Sequence, residues 1–424
     1  METLHNLFIT ELQNSLTFKT IGARLIAKKF GDFGIILTEE QIKGIENQLE
    51  AGELENFKIE LSDEQVAASS IQPSNDPSIQ IDLSDHDDGK IAEILDKAIQ
   101  EALGEALPEV SDILLKALKS EATSMLKKQR AERSRFENNL RKEWGKALDL
   151  LEMLLAIVLE SGGDFNEEFR PVASVENDYV FEVLTRIHAR GCQIGAEVLT
   201  LLKSGFADGA HARWRTLHEL AVVAFFVQKY GNDVAERYLL HEFIESYKAA
   251  NEYHTYAEFL PEGAPSDEDL SELENIREQL LNRFGRSFKN KYGWAASVLN
   301  IDDPNFDQIE QDVGLAHERP YYRLASHNVH ANPKGITFKL GLFPNQELLL
   351  AGPSIIGLAD PGHGIIRSLL RITSTLLITR PNLDRLAIVQ VMNKLEEEIG
   401  TALIDTHYRL EKDAHDQYEL ELDN

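Results

Sequence analysis

The sequence predicts an all-α fold, an array of long antiparallel helices with a small N-terminal helical module and at most one short β-hairpin, on three observations. Apolar residues recur at the three-to-four-residue spacing of a helix, as in IAEILDKAIQEAL from Ile91 and LDRLAIVQVMNKLEEEIGTALIDTHYRL from Leu383. A capping box, Thr38-Glu-Glu-Gln41, stands directly before one such segment. The run Leu220–Val227 holds eight consecutive apolar residues and continues a helical pattern, which describes a helix buried all round.

In order along the chain, residues 1–66 read as the small module. Leu4, Leu7, Phe8 and Leu12, then Ile21, Leu25 and Ile26, mark short helices; Gly31-Asp-Phe-Gly34 marks a turn; and Ile42, Ile45 and Leu49 share one face of the next helix. Its helix-turn-helix appearance suggests DNA binding, but the second helix, EEQIKGIENQLEAGELE, is acidic where it would meet phosphates, so a protein contact fits better. Residues 67–89, rich in Ser, Pro and Asp, form a linker. Residues 90–424 form the main helical domain.

In that domain Pro108 is expected to start a helix, and Gly162-Gly163 to stop it, with a loop running to Val175. The central helices follow over Tyr179–Tyr230. Pro320 starts a helix that Asn332-Pro333 ends. Residues 336–358 suggest a short hairpin or extended excursion around Pro344-Asn345, and two long helices close the chain.

Charge narrows the function classes. The chain has 43 basic and 71 acidic residues, a formal −28, which disfavours a large nonspecific nucleic-acid surface. Two local basic clusters stand out, one of eight residues between Lys127 and Lys146 and one at Arg283, Arg286, Lys289 and Lys291; each reads as a solvated helix face or as a docking stripe for RNA or a partner. Cys192 is the only cysteine, so no intramolecular disulfide forms, which fits a reducing cytoplasmic compartment. No window is apolar enough for a membrane span. Walker, GxGxxG and GxSxG motifs are absent, and no cofactor is expected. Asp360-Pro-Gly-His-Gly364 reads as a helix-start turn.

Two polar clusters are candidate sites. In RWRTLHE, Arg215, His218 and Glu219 share one helix face that turns apolar one turn later, so Arg215 requires the carboxylate of Glu219 at i+4. On the Pro320–Ala331 segment, Arg323, Ser326, His327 and His330 share a face, with Arg323 and His330 nearly in line and Tyr322 beside them. The two helices are expected to meet. A metal reading through His327 and His330 lacks carboxylates on that face, and none is expected. An acid–base reading uses a histidine near neutral pKa with the arginine holding an anion.

The stretches LLKSGFADGAHARWRTLHEL and YYRLASHNVHANPKG resemble a bacterial family of uncharacterised helical proteins and, more distantly, the HEPN superfamily, over about Tyr179 to Leu386. That resemblance implies a metal-independent, usually dimeric endoribonuclease of antiphage defence or a toxin system, in which an Arg followed four to six residues later by His holds phosphate and promotes 2′-hydroxyl attack. Arg213…His218, Arg323…His330 and Arg409…His415 satisfy the spacing. Arg323 and His330 would be the catalytic pair, with His327, Arg215, His218 and Glu219 around them. The alternative is a non-catalytic interaction or sensor protein whose polar clusters form one buried network.

Overall fold

The computed structural model describes residues 17–51, 58–69, 88–260, 263, 265–343 and 348–422. The chain divides into two units, Met1–Glu132 and Arg133–Asn424. In the first, α1 (Phe18–Asp32), α2 (Glu39–Glu50) and α3 (Asp63–Ala68) follow one another. Thr38 and Gln41 form the expected capping box on α2, and Ser62 and Gln65 form a second on α3, so orphan amides at both helix starts are satisfied. Ala23, Phe30, Ile35, Leu37 and Ile45 make a small core of their own. The Leu4–Leu12 pattern and residues 70–87 of the expected linker lie outside the described residues.

Helix α4 runs from Asp88 to Glu176, 89 residues, and corrects three expectations. Pro108 lies inside it, because a proline costs one backbone bond and a clash without cancelling the helical pattern on both sides. Gly162 and Gly163 do not stop it, and residues up to Val175 are helical. Gly162 serves packing instead: a Cβ there would lie 2.0 Å from the ring of His188, so only glycine lets that ring approach.

The second unit continues with α5 (Tyr179–Lys203), α6 (Ala207–Tyr230), α7 (Asn232–Thr255), α8 (Asp267–Phe284), α9 (Ala296–Leu299), α10 (Phe306–Asp312), α11 (Arg319–Val329), α12 (Pro333–Thr337), α13 (Ala359–Leu377) and α14 (Leu383–Leu422). Helix α6 packs against α5, α13 and α11, and α13 lies between α6 and α14. The run Leu220–Val227, expected to be buried all round, is nearly so: Ala221, Val222, Ala224, Phe226 and Val227 have no exposed surface, Val223 is buried, and Leu220 and Phe225 are partly exposed. Asp360–Gly364 is not a turn but the start of α13 itself. Gly364 faces the indole of Trp214, which a Cβ would meet at 2.7 Å, so the glycine sets the α6–α13 approach.

No strand forms among the described residues. Residues 344–347, the expected hairpin turn, lie outside them. The flanking segments spend their backbone groups on other elements rather than on each other: Leu340 N donates to Asp208 Oδ1 at 3.1 Å, Ser354 N to Gly205 O at 2.9 Å, and Trp144 Nε1 to Ile355 O at 2.8 Å. No described helix is long and apolar enough to cross a membrane.

Candidate functional site

His218, in the middle of α6, has no exposed surface. Its Nε2 lies 2.6 Å from Glu310 Oε1 on α10, and its Nδ1 lies 3.2 Å from Glu318 Oε2 on the short turn before α11. Each carboxylate has a second cation. Arg319 reaches Glu310 at 2.6 Å and Asp307 at 2.6 Å, while Arg371 from α13 donates through both Nη atoms to Glu318, at 2.7 and 2.8 Å. The forked Arg371–Glu318 pair is the geometry in which a guanidinium best compensates a desolvated carboxylate.

The ionisation states follow from this enclosure. Burial alone would push the His218 imidazole down, but hydrogen bonding and charge from Glu310 and Glu318 together outweigh it and raise the ring above its ordinary value. Burial would push Glu318 up; His218 and Arg371 bring it instead to about 2. The other buried histidines of the unit behave oppositely. His188 and His211 have no carboxylate partner among the described residues, and burial lowers each to about 4. His211 stacks on Trp214 with ring centroids 5.3 Å apart, and His188 sits 3.7 Å from the Cys192 sulfur, whose thiol burial raises to about 11.

Arg215 and Glu219 point to the other side of Tyr322. Arg215 Nη2 donates to Tyr322 Oη at 2.7 Å, Tyr322 donates to Glu219 Oε1 at 2.5 Å, and Arg215 contacts the same carboxylate at 3.1 Å. The guanidinium also lies 4.8 Å above the Tyr322 ring. Burial, followed by the hydrogen bond to Glu219, raises the phenol well above its ordinary value, so it remains a donor. Tyr322 thus joins the RWRTLHE helix to the SHNVH helix, with the His218 ring 5.6 Å from its own.

The second cluster is not assembled as its helical spacing suggests. Helix α11 ends at Val329, two residues before Ala331, and His330 is extended, with φ −106° and ψ 141°. The cause is local: Pro333 disfavours a helical Asn332, whose side chain instead caps α12 by accepting from Gly335 N. Arg323 and His330 therefore do not lie in line on one helix face. Both are exposed, and neither side chain has a hydrogen-bond partner among the described residues. Ser326 donates to Tyr322 O at 2.8 Å, and His327 Nδ1 is 2.9 Å from Asn332 Nδ2. His327 and His330 line an open cleft of about 370 Å³ with Asp208 and Lys339. No group of three or more His, Cys, Asp or Glu side chains among the described residues is placed to hold a metal. The other two Arg–His spacings are divided: Arg213 pairs with Glu197, and Arg409 with Glu143 at 2.6 Å. The basic residues between Lys127 and Lys146, and the Arg283–Lys291 cluster, are exposed.

Residues 181–347 match the model of DUF5677, a family of unknown function. No curated protein and no solved structure matches the chain. The matched span contains His218, Glu310, Glu318, Arg319 and the Arg215–Glu219–Tyr322 triad, and it stops short of Arg371. It agrees with the resemblance to an uncharacterised family; no relationship to the HEPN superfamily is among the matches.

Helix-face periodicity does not single out Glu310, Glu318, Arg319 or Arg371, because each stands on a different element from His218. The available signal was chemical: a histidine leading into an apolar run needs a carboxylate when buried, and DQIEQDVGLAHER is the nearest acidic segment beside the polar helix.

Proposed function

We propose that the chain is a non-catalytic helical interaction or sensor protein, in which Arg215, His218 and Glu219 organise the helix array from within. The carrying observation is the enclosure of His218, which has no exposed surface and both ring nitrogens within 3.2 Å of a carboxylate. A general acid–base must exchange a proton with a substrate, and this ring is sealed from solvent between two fixed carboxylates, one on each nitrogen. Arg215 and Glu219 are likewise committed to each other and to Tyr322. On this reading the protein is cytoplasmic, and the N-terminal module supplies a protein contact.

A second reading, a metal-independent endoribonuclease of HEPN type serving defence or a toxin system, with RNA drawn by the basic clusters and two chains forming a dimer, is favoured by one observation. His330 and His327 line an open cleft with Lys339, and Arg323 is exposed without a partner among the described residues. Incubation of purified wild-type and His330→Ala protein with total RNA in EDTA separates the two. Intact RNA in both samples supports the non-catalytic reading. Cleavage by the wild type that is lost in His330→Ala replaces it with the second.

A further inference from the structure

Helices α6, α13 and α14 and the end of α10 enclose a second cleft, of about 590 Å³, within the range of small-molecule sites. Helix α13 is its floor: Leu370, Ser374 and Ile378 lie at i, i+4 and i+8 on one face, with Arg371 and Thr375 beside them. Apolar walls come from Phe225 on α6, Val313 and, from α14, Val389. The only carboxylate in the lining, among the described residues, is Asp312, whose Oδ2 accepts from Lys229 Nζ at 2.9 Å and whose Oδ1 accepts from Tyr230 at 2.9 Å. Lys229 is about half exposed and donates also to Asp312 O at 2.9 Å, so its ammonium stays anchored at the rim of the cleft while the side-chain pair itself contributes little. The other lining cation, Arg371, has both Nη atoms committed to Glu318 and is not available as a counter-charge. Gln228, Ser374, Thr375 and Asn393 present polar side chains with no partner among the described residues.

One cation, one anion, uncommitted neutral donors and acceptors, and an aliphatic interior define a ligand class. A ligand of net charge would leave one of Lys229 and Asp312 opposed, and a wholly apolar ligand would strand the polar groups. We propose that this cleft binds a free α-amino acid with an apolar side chain, its carboxylate on Lys229, its ammonium on Asp312 and its side chain against Leu370, Ile378 and Val389. The site goes beyond the proposed function and does not depend on it.

The test is calorimetric titration of the full chain. L-Leucine or L-phenylalanine binds saturably, and the matching amino-acid amide and N-acetyl amino acid, each lacking one charge, bind at least about tenfold more weakly. Lys229→Met and Asp312→Asn, each with a native circular-dichroism spectrum, lose affinity to the same degree. Absence of binding by both amino acids at millimolar concentration overturns the proposal, as does equal binding of the charged and capped compounds. The capped compounds decide the question on the wild-type chain even where a variant fails to fold.

Discussion

His218 Nε2 and Glu310 Oε1 lie 2.6 Å apart, and neither side chain has any surface in contact with solvent. A charged pair in that position contributes through completeness: desolvating either ion is costly, and each is compensated only while its partner is present. Glu310→Ala is therefore expected to destabilise the fold by about 3–5 kcal/mol, read as a lower urea midpoint, because it removes the carboxylate that His218 and Arg319 share and leaves them only Glu318 and Asp307. The double change His218→Leu with Glu310→Leu is expected to cost less than Glu310→Ala. A larger loss in the double variant would contradict this account.

The buried histidines make stability depend on pH in two directions. Between about pH 4 and 6.5 the unfolded chain takes up protons on His188 and His211 that the folded chain refuses, so stability rises with pH. Above 6.5 the folded chain retains the His218 proton that the unfolded chain has released. The His218 contribution, complete below that pH, is lost as pH rises through its raised folded value. Urea midpoints are expected to peak near pH 6.5, and His218→Gln to flatten the decline on the alkaline side. Glu318 adds an acid limb: its contribution is complete above 4.5 and lost as pH falls toward 2.

Gly162 and Gly163 separate packing from helix propensity within one dipeptide. Gly162→Ala drives a methyl into the His188 ring and is expected to cost about 1–3 kcal/mol. Gly163→Ala meets nothing within 4 Å and is expected to stabilise the helix by about 0.5–1 kcal/mol. Thermal unfolding of the two single variants checks the contrast.

Tyr322→Phe removes one hydroxyl and two hydrogen bonds, leaving the Arg215–Glu219 ion pair without the hydroxyl that bridges it while the guanidinium keeps its place over the ring. A loss of about 1–3 kcal/mol is expected. A double-mutant cycle with Glu219→Gln is expected to give strongly non-additive costs, since both changes break the same bond.

The helical class and the Arg215–Glu219 pair were legible in the sequence because both depend on neighbours within two turns. The bond between the RWRTLHE and SHNVH helices was legible as a meeting of polar faces, although Tyr322, which makes it, was read only as a flanking residue. The end of α11 was misread by two residues because Asn332 caps the following helix, an effect that periodicity does not register. The glycines at 162 and 364 were misread as punctuation. Their role depends on His188 and Trp214, which lie far along the chain and touch them only in the fold.

Glu310 lies 92 residues from His218, and Arg371 lies 53 from Glu318. No local fragment can bring both carboxylates to the His218 ring, and a partly assembled interior would bury a carboxylate or guanidinium without its partner. The network therefore acts against intermediates: until α6, α10, the turn before α11 and α13 have all arrived, it favours water over the core. A fragment ending at residue 347 lacks Arg371 and leaves Glu318 without its forked guanidinium. The shortest piece of this unit able to close its charge network must therefore extend through α13.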